Sequence, residues 1–509
     1  MIADPADDPP HVSRADVARG AGLATLARLG ALIEVIAQPV YTWLFGIATY
    51  GVYTVLWAAV NIAENIVDLS MTQALQRVVP TESESDAHAA VRFALLVSVG
   101  PALLIALAAT LSAGSIAALI SAAPADRVTL PLAVALFAWA LPLWTFIEVS
   151  TAAARARRAF GPEIRLRIFW EQIARLAFAV ALFAIGVGPL GLIVAHLASL
   201  ALTAALSARL LLRYFDGELL LRAPLPRRVR GALLATGFAT LPAAVTRRLF
   251  NDLPAVVLNL MLPGARGATA AGLFGIARKI ASIPLIVRQA FQYVMAPLAS
   301  AQARADRAGI APLYRFATRV STALVIPVAG VLLLLADDIL SVFAPEARAA
   351  LPLLIILVLA RAGEAIVGAA TPVVEMTGHR ALPLLNSAIG LAAWALLSIW
   401  LVPPMAGTGM AIAVAVGTVL VAWTAAIELR LTEGLPTFDR HSLLGAAIAI
   451  AAVAAMWAIG LLLAPLGAPV RAAGLLLLLP AAAWIALRFG LDPQDRAALG
   501  KAGRRMRLA

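Results

Sequence analysis

Apolar runs of roughly 20 residues recur along the whole chain, each long enough to cross about 30 Å of hydrocarbon as an α-helix. Few features constrain a fold more tightly, because inside lipid a helix satisfies all its backbone donors and acceptors within its own segment. The composition agrees: 62% of residues are hydrophobic, 13% are charged and the mean hydropathy is +0.91, far outside the range of soluble domains. The expectation is an all-α integral membrane protein with no sizeable soluble domain.

Apolar runs and their breakers predict about fourteen spans. They begin near Leu23, Val52, Val91, Leu130, Ile168, Leu190, Leu233, Ala270, Val320, Leu351, Leu382, Met410, Leu443 and Ala472. The connections alternate in charge. Those after even-numbered spans are rich in arginine, such as Arg155, Arg157, Arg158 and Arg165, or Arg209, Arg213, Arg222, Arg227, Arg228 and Arg230. Those after odd-numbered spans, such as GIATYG, AIGVGP, LPGARGA and VPPMAGT, carry at most one. The positive-inside rule then places both termini in the cytoplasm.

Residues 1–20 lack an apolar core and a small-residue cleavage site, and read as a cytoplasmic tail rather than a signal peptide. Residues 213–230 form the longest cytoplasmic connection. Leu219, Leu220 and Leu221 sit there among charges, as a surface-lying segment or a solvated linker would have them. This divides residues 21–212 (spans one to six) from 231–432 (spans seven to twelve), with 433–490 holding two further spans and 491–509 a basic tail. A weak repeat supports the division. TLARLG at Thr25 parallels TRRLFN at Thr246, and YGVYTVL around Gly51 parallels AGLFGIA around Gly272, both at an offset of 221 residues. Membrane transporters are often built from such repeats, with the substrate between them.

Several chemistries are excluded or unsupported. Without cysteine there are no thiolate metal sites, cysteine nucleophiles or disulfides. No phosphate-binding loop, His-Glu-x-x-His motif or ATPase domain is present, so neither catalytic nor metal-ligating residues are expected and ATP-driven transport by this chain alone is not. The net charge of +12 records membrane topology rather than a nucleic-acid partner.

The spans carry charge that a bundle built only to pack would not need. In RKIASIPLIVRQAFQY (residues 278–293) the cations are Arg278, Lys279 and Arg288. Arg278, Ser282, Arg288, Gln289 and Gln292 fall within roughly 120° on a helical wheel. Arg278 lies about ten residues, hence about 15 Å, from the outer end, too deep to snorkel easily. Span two has an acidic counterpart in Asn61, Glu64, Asn65, Asp68 and Thr72. Further charges are Arg28 and Glu34, Glu148, Glu171 and Arg175, Arg247, Arg248 and Asp252, and Arg361 and Glu364. Of these, Arg248–Asp252, Glu171–Arg175 and Arg361–Glu364 have the spacing of pairs on one helix. Arg278 and Arg288 have no acid at such spacing in their own span and read as ligand-facing; forked arginines suit phosphate. His196 reads as hydrogen-bonded packing, and Trp43, Trp144, Trp170 and Trp400 as interfacial anchors.

LARLGALIEVIAQPVYTWLFGIATYGVYTVLWAAVNIAENIVDLSMTQALQR, with its Tyr50–Tyr53 turn, resembles the opening of the polysaccharide (O-antigen and capsule) flippases. AGLFGIARKIASIPLIVRQAFQYVMAPLASAQA and MTGHRALPLLNSAIGLAAWALLSIWLVPPMAGTGMAIA are similar as well, so the resemblance runs from about Ala21 to Phe438. It implies membership of the multidrug, oligosaccharidyl-lipid and polysaccharide exporter superfamily: two six-helix lobes around a central cavity, alternating between inward- and outward-open forms, plus two C-terminal helices.

It further implies a bacterial inner-membrane flippase, not an enzyme. Such a protein moves undecaprenyl-diphosphate-linked oligosaccharide to the periplasmic leaflet for O-antigen (lipopolysaccharide), capsule or exopolysaccharide synthesis, with polymerase machinery as a partner. Arg278, Arg288, Lys279, Gln289, Arg28 and Arg248 would hold the diphosphate end. Asn61, Glu64 and Asp68 would meet sugar hydroxyls or a coupling cation, and Asp252 with Asn386 would form a Na+ or H+ site. Related lipid II flippases use arginines in spans one, two and eight; Arg28 and Arg278 match by span, but span two here is acidic. A multidrug antiporter of the same superfamily is the alternative that the acidic stripe keeps open, and a lipid II flippase is another.

Overall fold

The computed structural model describes residues 31–157, 159, 165–289, 310–376 and 381–508; Arg28, Gln292 and the arginines at 158, 304, 307 and 380 lie outside them. Among the described residues the chain is helical with no strand. The principal helices are α1 (Ala31–Val67), α2 (Met71–Val78), α3 (Glu84–Leu111), α4 (Ala140–Ala156), α5 (Glu171–Ala184), α6 (Leu190–Tyr214) and α7 (Arg227–Met261). They continue as α8 (Gly264–Ala281), α9 (Ile310–Leu334), α10 (Leu351–Ile366), α11 (Ala381–Met405), α12 (Gly407–Glu433), α13 (Arg440–Leu463) and α14 (Ala468–Gly490).

Eleven stretches among the described residues are long and apolar enough to cross a membrane, which makes this a multi-pass membrane protein. Fewer are found than the sequence predicts, for local reasons. Predicted spans one and two run on as α1, interrupted only at Gly46, whose φ of 79° breaks the helix. The fifth and eighth are carried by shorter helices, α5 and α8. Local chemistry sets many of the ends. Ser83 caps α3 by accepting from Asp86 N at 3.2 Å, Asp439 caps α13 by accepting from Ser442 N at 2.8 Å, and Gly434 ends α12 at φ 65°, a region glycine enters without steric cost.

Packing is reversed relative to a soluble protein. Large side chains such as Leu104, Leu111, Leu396, Trp400, Leu462 and Leu477 point outward, while alanine and glycine fill much of the buried interior. Lipid is as apolar as leucine, so close approach of small residues drives association. The clearest case is Gly51 on α1 against α8. A Cβ at Gly51 would overlap the carbonyl of Ala268, and a Cβ at Gly272 would press on Ile47. Gly51 and Gly272 are the two residues matched by the 221-residue offset, and repeat-related residues in mutual contact are what an axis between two halves requires.

The alternation of charged connections is visible as two faces. At one, Arg157 and Arg228 reach Glu84 and Glu82, and Arg92 donates to the carbonyl of Ala223 at 2.7 Å, joining connections after predicted spans two, four and six. At the other, Asn259 meets Ser121, Trp43 meets Val342, and Arg471 meets Asp338 at 2.6 Å. These are here the arginine-rich and arginine-poor faces.

Gly217–Arg222 forms a short helix on the arginine-rich face, capped by Asp216, with Leu219 and Leu221 exposed, as a surface-lying segment would have them. Two expectations are corrected. Trp144 is no interfacial anchor; it is buried against Trp57, ring centroids 5.3 Å apart. The His196 ring is packed without hydrogen bonds: it sits among Tyr53, Trp57 and Phe137, and neither nitrogen has a partner among the described residues.

Candidate functional site

Seven of the charged side chains predicted inside the membrane gather in two groups, while Glu171 and Arg175 pair apart from both. The first lies where α1, α7 and α8 meet. Arg248 Nη2 is 3.9 Å from Glu64 Oε2, Arg248 Nη1 is 3.5 Å from Asp252 Oδ2, and Arg278 Nη1 is 3.4 Å from Asp252 Oδ1. Acids and bases therefore alternate in a chain of two each, which is formally neutral. Its carboxylates are buried, with 5% of each side chain exposed, whereas Arg248 and Arg278 keep 30% and 21%. The guanidinium groups are thus the reachable part of the chain.

The second group joins the end of the α8 segment to α10. Arg288 pairs with Glu364, and Arg361 Nη1 donates to Glu364 Oε2 at 2.7 Å. Two cations share one acid, leaving a surplus of one positive charge. Arg288 reaches Glu364 by crossing Gly368, where a Cβ would collide with the arginine Cδ. The helix carrying these cations is broken between them. At Ser282–Pro284 the chain makes turns held by Ser282 N to Lys279 O and Ile283 N to Ile280 O, both 3.2 Å, and helix resumes at Leu285. Proline brings no donor to this break, and discontinuous helices of this kind recur at transporter substrate sites.

The contacts of the first group are longer than the 2.7–2.9 Å, or about that, of tight charge-assisted bonds. Arginines so held can exchange one oxyanion for another at modest cost. A phosphate entering between α7 and α8 could take over from Asp252 as the partner of Arg278.

The structure brings Glu64, Arg248, Asp252 and Arg278 together, and separately Arg288 with Arg361 and Glu364. Lys279 and Gln289 are half-buried beside them. Asn61 is buried on the Glu64 face, and Asp68 is taken up locally by Thr72 Oγ1, which donates to it at 2.8 Å. Asp252 and Asn386 are not joined by a hydrogen bond; Asn386 Nδ2 donates instead to Glu428 Oε2 at 2.7 Å. Helical spacing on one span revealed Arg248–Asp252, Glu171–Arg175 and Arg361–Glu364, all present here. It could not reveal Arg278–Asp252 or Arg288–Glu364, whose acids lie on other helices.

A family model described as polysaccharide biosynthesis protein matches residues 41–346, more than half of the chain. The chain belongs to the polysaccharide biosynthesis protein family. No curated protein matches it. Among solved structures, this polysaccharide biosynthesis protein resembles the lipid II flippase MurJ in an inward closed conformation, with a TM-score of 0.71 and 11% identity over 91% of this chain and 98% of that one. It also resembles an inward-facing multidrug resistance MATE family transporter of the MOP superfamily, with a TM-score of 0.60 and 14% identity over 83% and 95% of the two chains. A MOP superfamily transporter from Pyrococcus furiosus gives 0.61 and 13% over 85% and 98%. The family member therefore has the fold of MOP-superfamily transporters, and the two charged groups lie within it on α1, α7, α8 and α10.

Proposed function

We propose that this protein is a flippase that carries undecaprenyl-diphosphate-linked oligosaccharide from the cytoplasmic to the periplasmic leaflet of the bacterial inner membrane, with both termini cytoplasmic. Residues 21–212 and 231–432 act as two six-span lobes joined by the 213–230 linker, and the whole chain has fourteen spans. Residues 433–490 supply the last two. Alternating access around the α1–α7–α8 junction moves the headgroup while the polyprenyl tail stays in lipid.

The observation that carries this reading is the partly exposed Arg248–Asp252–Arg278 chain inside the bundle of a polysaccharide biosynthesis protein. Arg278 and Arg248 exchange carboxylate for phosphate when substrate enters. Arg288 and Lys279 add the surplus charge that a diphosphate requires. Asn61 and Glu64 face the sugar, and an ion gradient of Na+ or H+ resets the cycle.

The test is the lipid-linked oligosaccharide left on the cytoplasmic leaflet of cells expressing Arg278→Ala at wild-type membrane abundance. Losing a forked charge-assisted contact is worth about 1.5–3 kcal/mol, so export falls roughly tenfold or more and precursor builds up inside. Unchanged export with folded protein overturns the phosphate clamp. The carboxylates Glu64 and Asp252 within the same chain favour a second reading, export of an organic cation. That reading predicts that Glu64→Gln abolishes efflux of a cationic dye while oligosaccharide export continues.

A further inference from the structure

The arginine-poor face is closed by two clasps that the repeat relates. In the first, Asn259 near the end of α7 grips the connection after α3: Ser121 N donates to Asn259 Oδ1 at 2.9 Å, and Asn259 Nδ2 donates to Ser121 O at 2.8 Å. Ser121 Oγ also donates to Leu262 O at 2.7 Å. In the second, Trp43 near the break in α1 donates to Val342 O at 2.8 Å, in the connection after α9, and Ala344 N donates to Thr42 Oγ1 at 3.4 Å. Residues 121 and 342 differ by 221, so the gripped loops correspond, whereas the gripping side chains do not, since Asn259 corresponds to Gln38 rather than to Trp43. Each half holds the other by the same loop.

Both loops continue into a short helix with proline at its start, Ala123-Pro124-Ala125-Asp126-Arg127 and Ala344-Pro345-Glu346-Ala347-Arg348. The match A-P-x-x-R at an offset of 221 is a third instance of the repeat. The halves differ at one buried position. Ala347 is buried and its neighbour Glu346 is exposed, whereas in the first half the buried residue is Asp126, 4% exposed. Thr49 Oγ1 donates to Asp126 Oδ1 at 2.9 Å, and Asp126 Oδ2 has no hydrogen-bond partner.

Asp126 lines a cavity of about 20 Å³ with Thr49, Tyr53, Thr129, Leu130 and Ile193, about the room one water needs. The groups facing the acid are few. α1 offers Thr49 and Tyr53, the 129–133 segment offers Thr129, and α6 offers only Pro189, Leu190, Leu192 and Ile193. Among the described residues no cation lines the cavity. Arg127 reaches across to Gly264 in the other half, while Arg175, held by Glu171, donates to the Tyr53 hydroxyl at 3.4 Å. His196 lies against the Tyr53 ring.

We propose that Asp126 is a proton-binding site that sets how firmly the arginine-poor face is clasped. With the proton on, the acid sits neutral beside Thr49 and its turn presents Ser121 to Asn259. Without it, a buried carboxylate with no cation in its pocket favours withdrawal of the turn toward water, which loosens the first clasp and leaves the second, with Ala347, unaffected. Burial pushes the Asp126 carboxyl above its ordinary value, against the hydrogen bond from Thr49, and the sign follows. A group whose pKa is higher in the clasped form stabilises that form fully below the ordinary carboxylate range, and the stabilisation is lost as pH rises through the raised value. On the orientation proposed above, protons arrive from the periplasm and favour closure of that face, the return step of an export cycle.

The chain lacks cysteine, so spin labels at Leu119→Cys and Arg266→Cys, one on each side of the seam, read its opening without background. The full-length protein in lipid nanodiscs, sodium-free, is titrated from about pH 4 to about pH 8, with each unit of displaced pKa worth up to tenfold in the open-to-closed ratio. The open distance gains population as pH rises. Asp126→Asn stays closed throughout, and Thr49→Val moves the midpoint without removing the response. The same pH response in Asp126→Asn overturns the proposal, as does an equal shift produced by Na+ at fixed pH. Should Asp126→Asn not fold, an unmoved midpoint in Thr49→Val overturns it as well. The inference rests on alternating access but not on the substrate, and the readout uses no lipid-linked sugar, so it stands or falls apart from the oligosaccharide assignment.

Discussion

Two regions of the molecule hold arginine against carboxylates, and they do so in opposite ways. At the α1–α7–α8 junction, contacts of 3.4–3.9 Å link two arginines to two acids, and the arginines keep part of their surface open. On the arginine-rich side, Arg319 of α9, 8% exposed, is surrounded by Asp439, Asp492 and Asp495, at 2.6 Å from Asp495 Oδ2. Asp439 caps the start of α13, while Asp492 caps, and Asp495 lies in, the short helix Pro493–Ala498 after α14. One arrangement is loose and reachable, the other short and enclosed. Charges that must change partners are held at long range; charges that must tie three helices together are not.

The sharpest break in this comparison is truncation. Arg319→Ala removes the cation that three acids share, one of them buried, and removing one member of a buried ionic group costs about 3–5 kcal/mol. The thermal midpoint in detergent should fall sharply, whereas Arg278→Ala should lower it less because its acid keeps Arg248. Equal losses in the two variants would erase the distinction.

An intermediate effect is expected at Gly368. A methyl group there meets Arg288 Cδ, and overpacking costs about 1–3 kcal/mol. Gly368→Ala should weaken the Arg288–Glu364 pair and lower export with it. The double variant with Arg288→Ala separates causes: if the clash is the mechanism, Gly368→Ala adds little once the arginine is gone, a coupling that a mutant cycle measures directly. Independent, additive losses would place the effect elsewhere.

Much of this was legible in the sequence. The alternating arginine content foretold which connections share a face, since topology is set by loop charge, and the offset of 221 matched Gly51 with Gly272, although their contact emerges only in the fold. The i, i+4 spacing of Arg248 and Asp252 revealed one link of the central chain. The next link, to Arg278, was hidden because periodicity reports only one helix at a time. Asp126 was hidden for a different reason: a single acid between alanine and arginine in a connection has no period, and its burial arises from residues 49 and 193, distant in sequence. Trp144 misled because span position was taken as depth, and His196 because a buried imidazole was expected to be hydrogen-bonded, when aromatic packing with Trp57 holds both.

The smallest expected effect tests whether the tight cluster depends on charge or on capping. Burial alone raises the Asp439 carboxyl, but the hydrogen bonds from Arg319 and Ser442 outweigh it and hold the group well below the usual carboxylate range. A depressed pKa contributes stability that is fully present above the ordinary value and is lost as pH falls through the lowered one. Asp439→Asn keeps the cap on α13, since asparagine caps as well as aspartate, and removes only the charge. Wild type should therefore melt above the variant at neutral pH, by a small margin because the partly exposed pair is screened. The two midpoints should then converge as pH drops below about 4, where carboxylates take up protons. Melting curves of both proteins across that range decide the matter: a margin that does not narrow would assign Asp439 to the helix cap alone and leave Asp492 and Asp495 as the charges that hold Arg319.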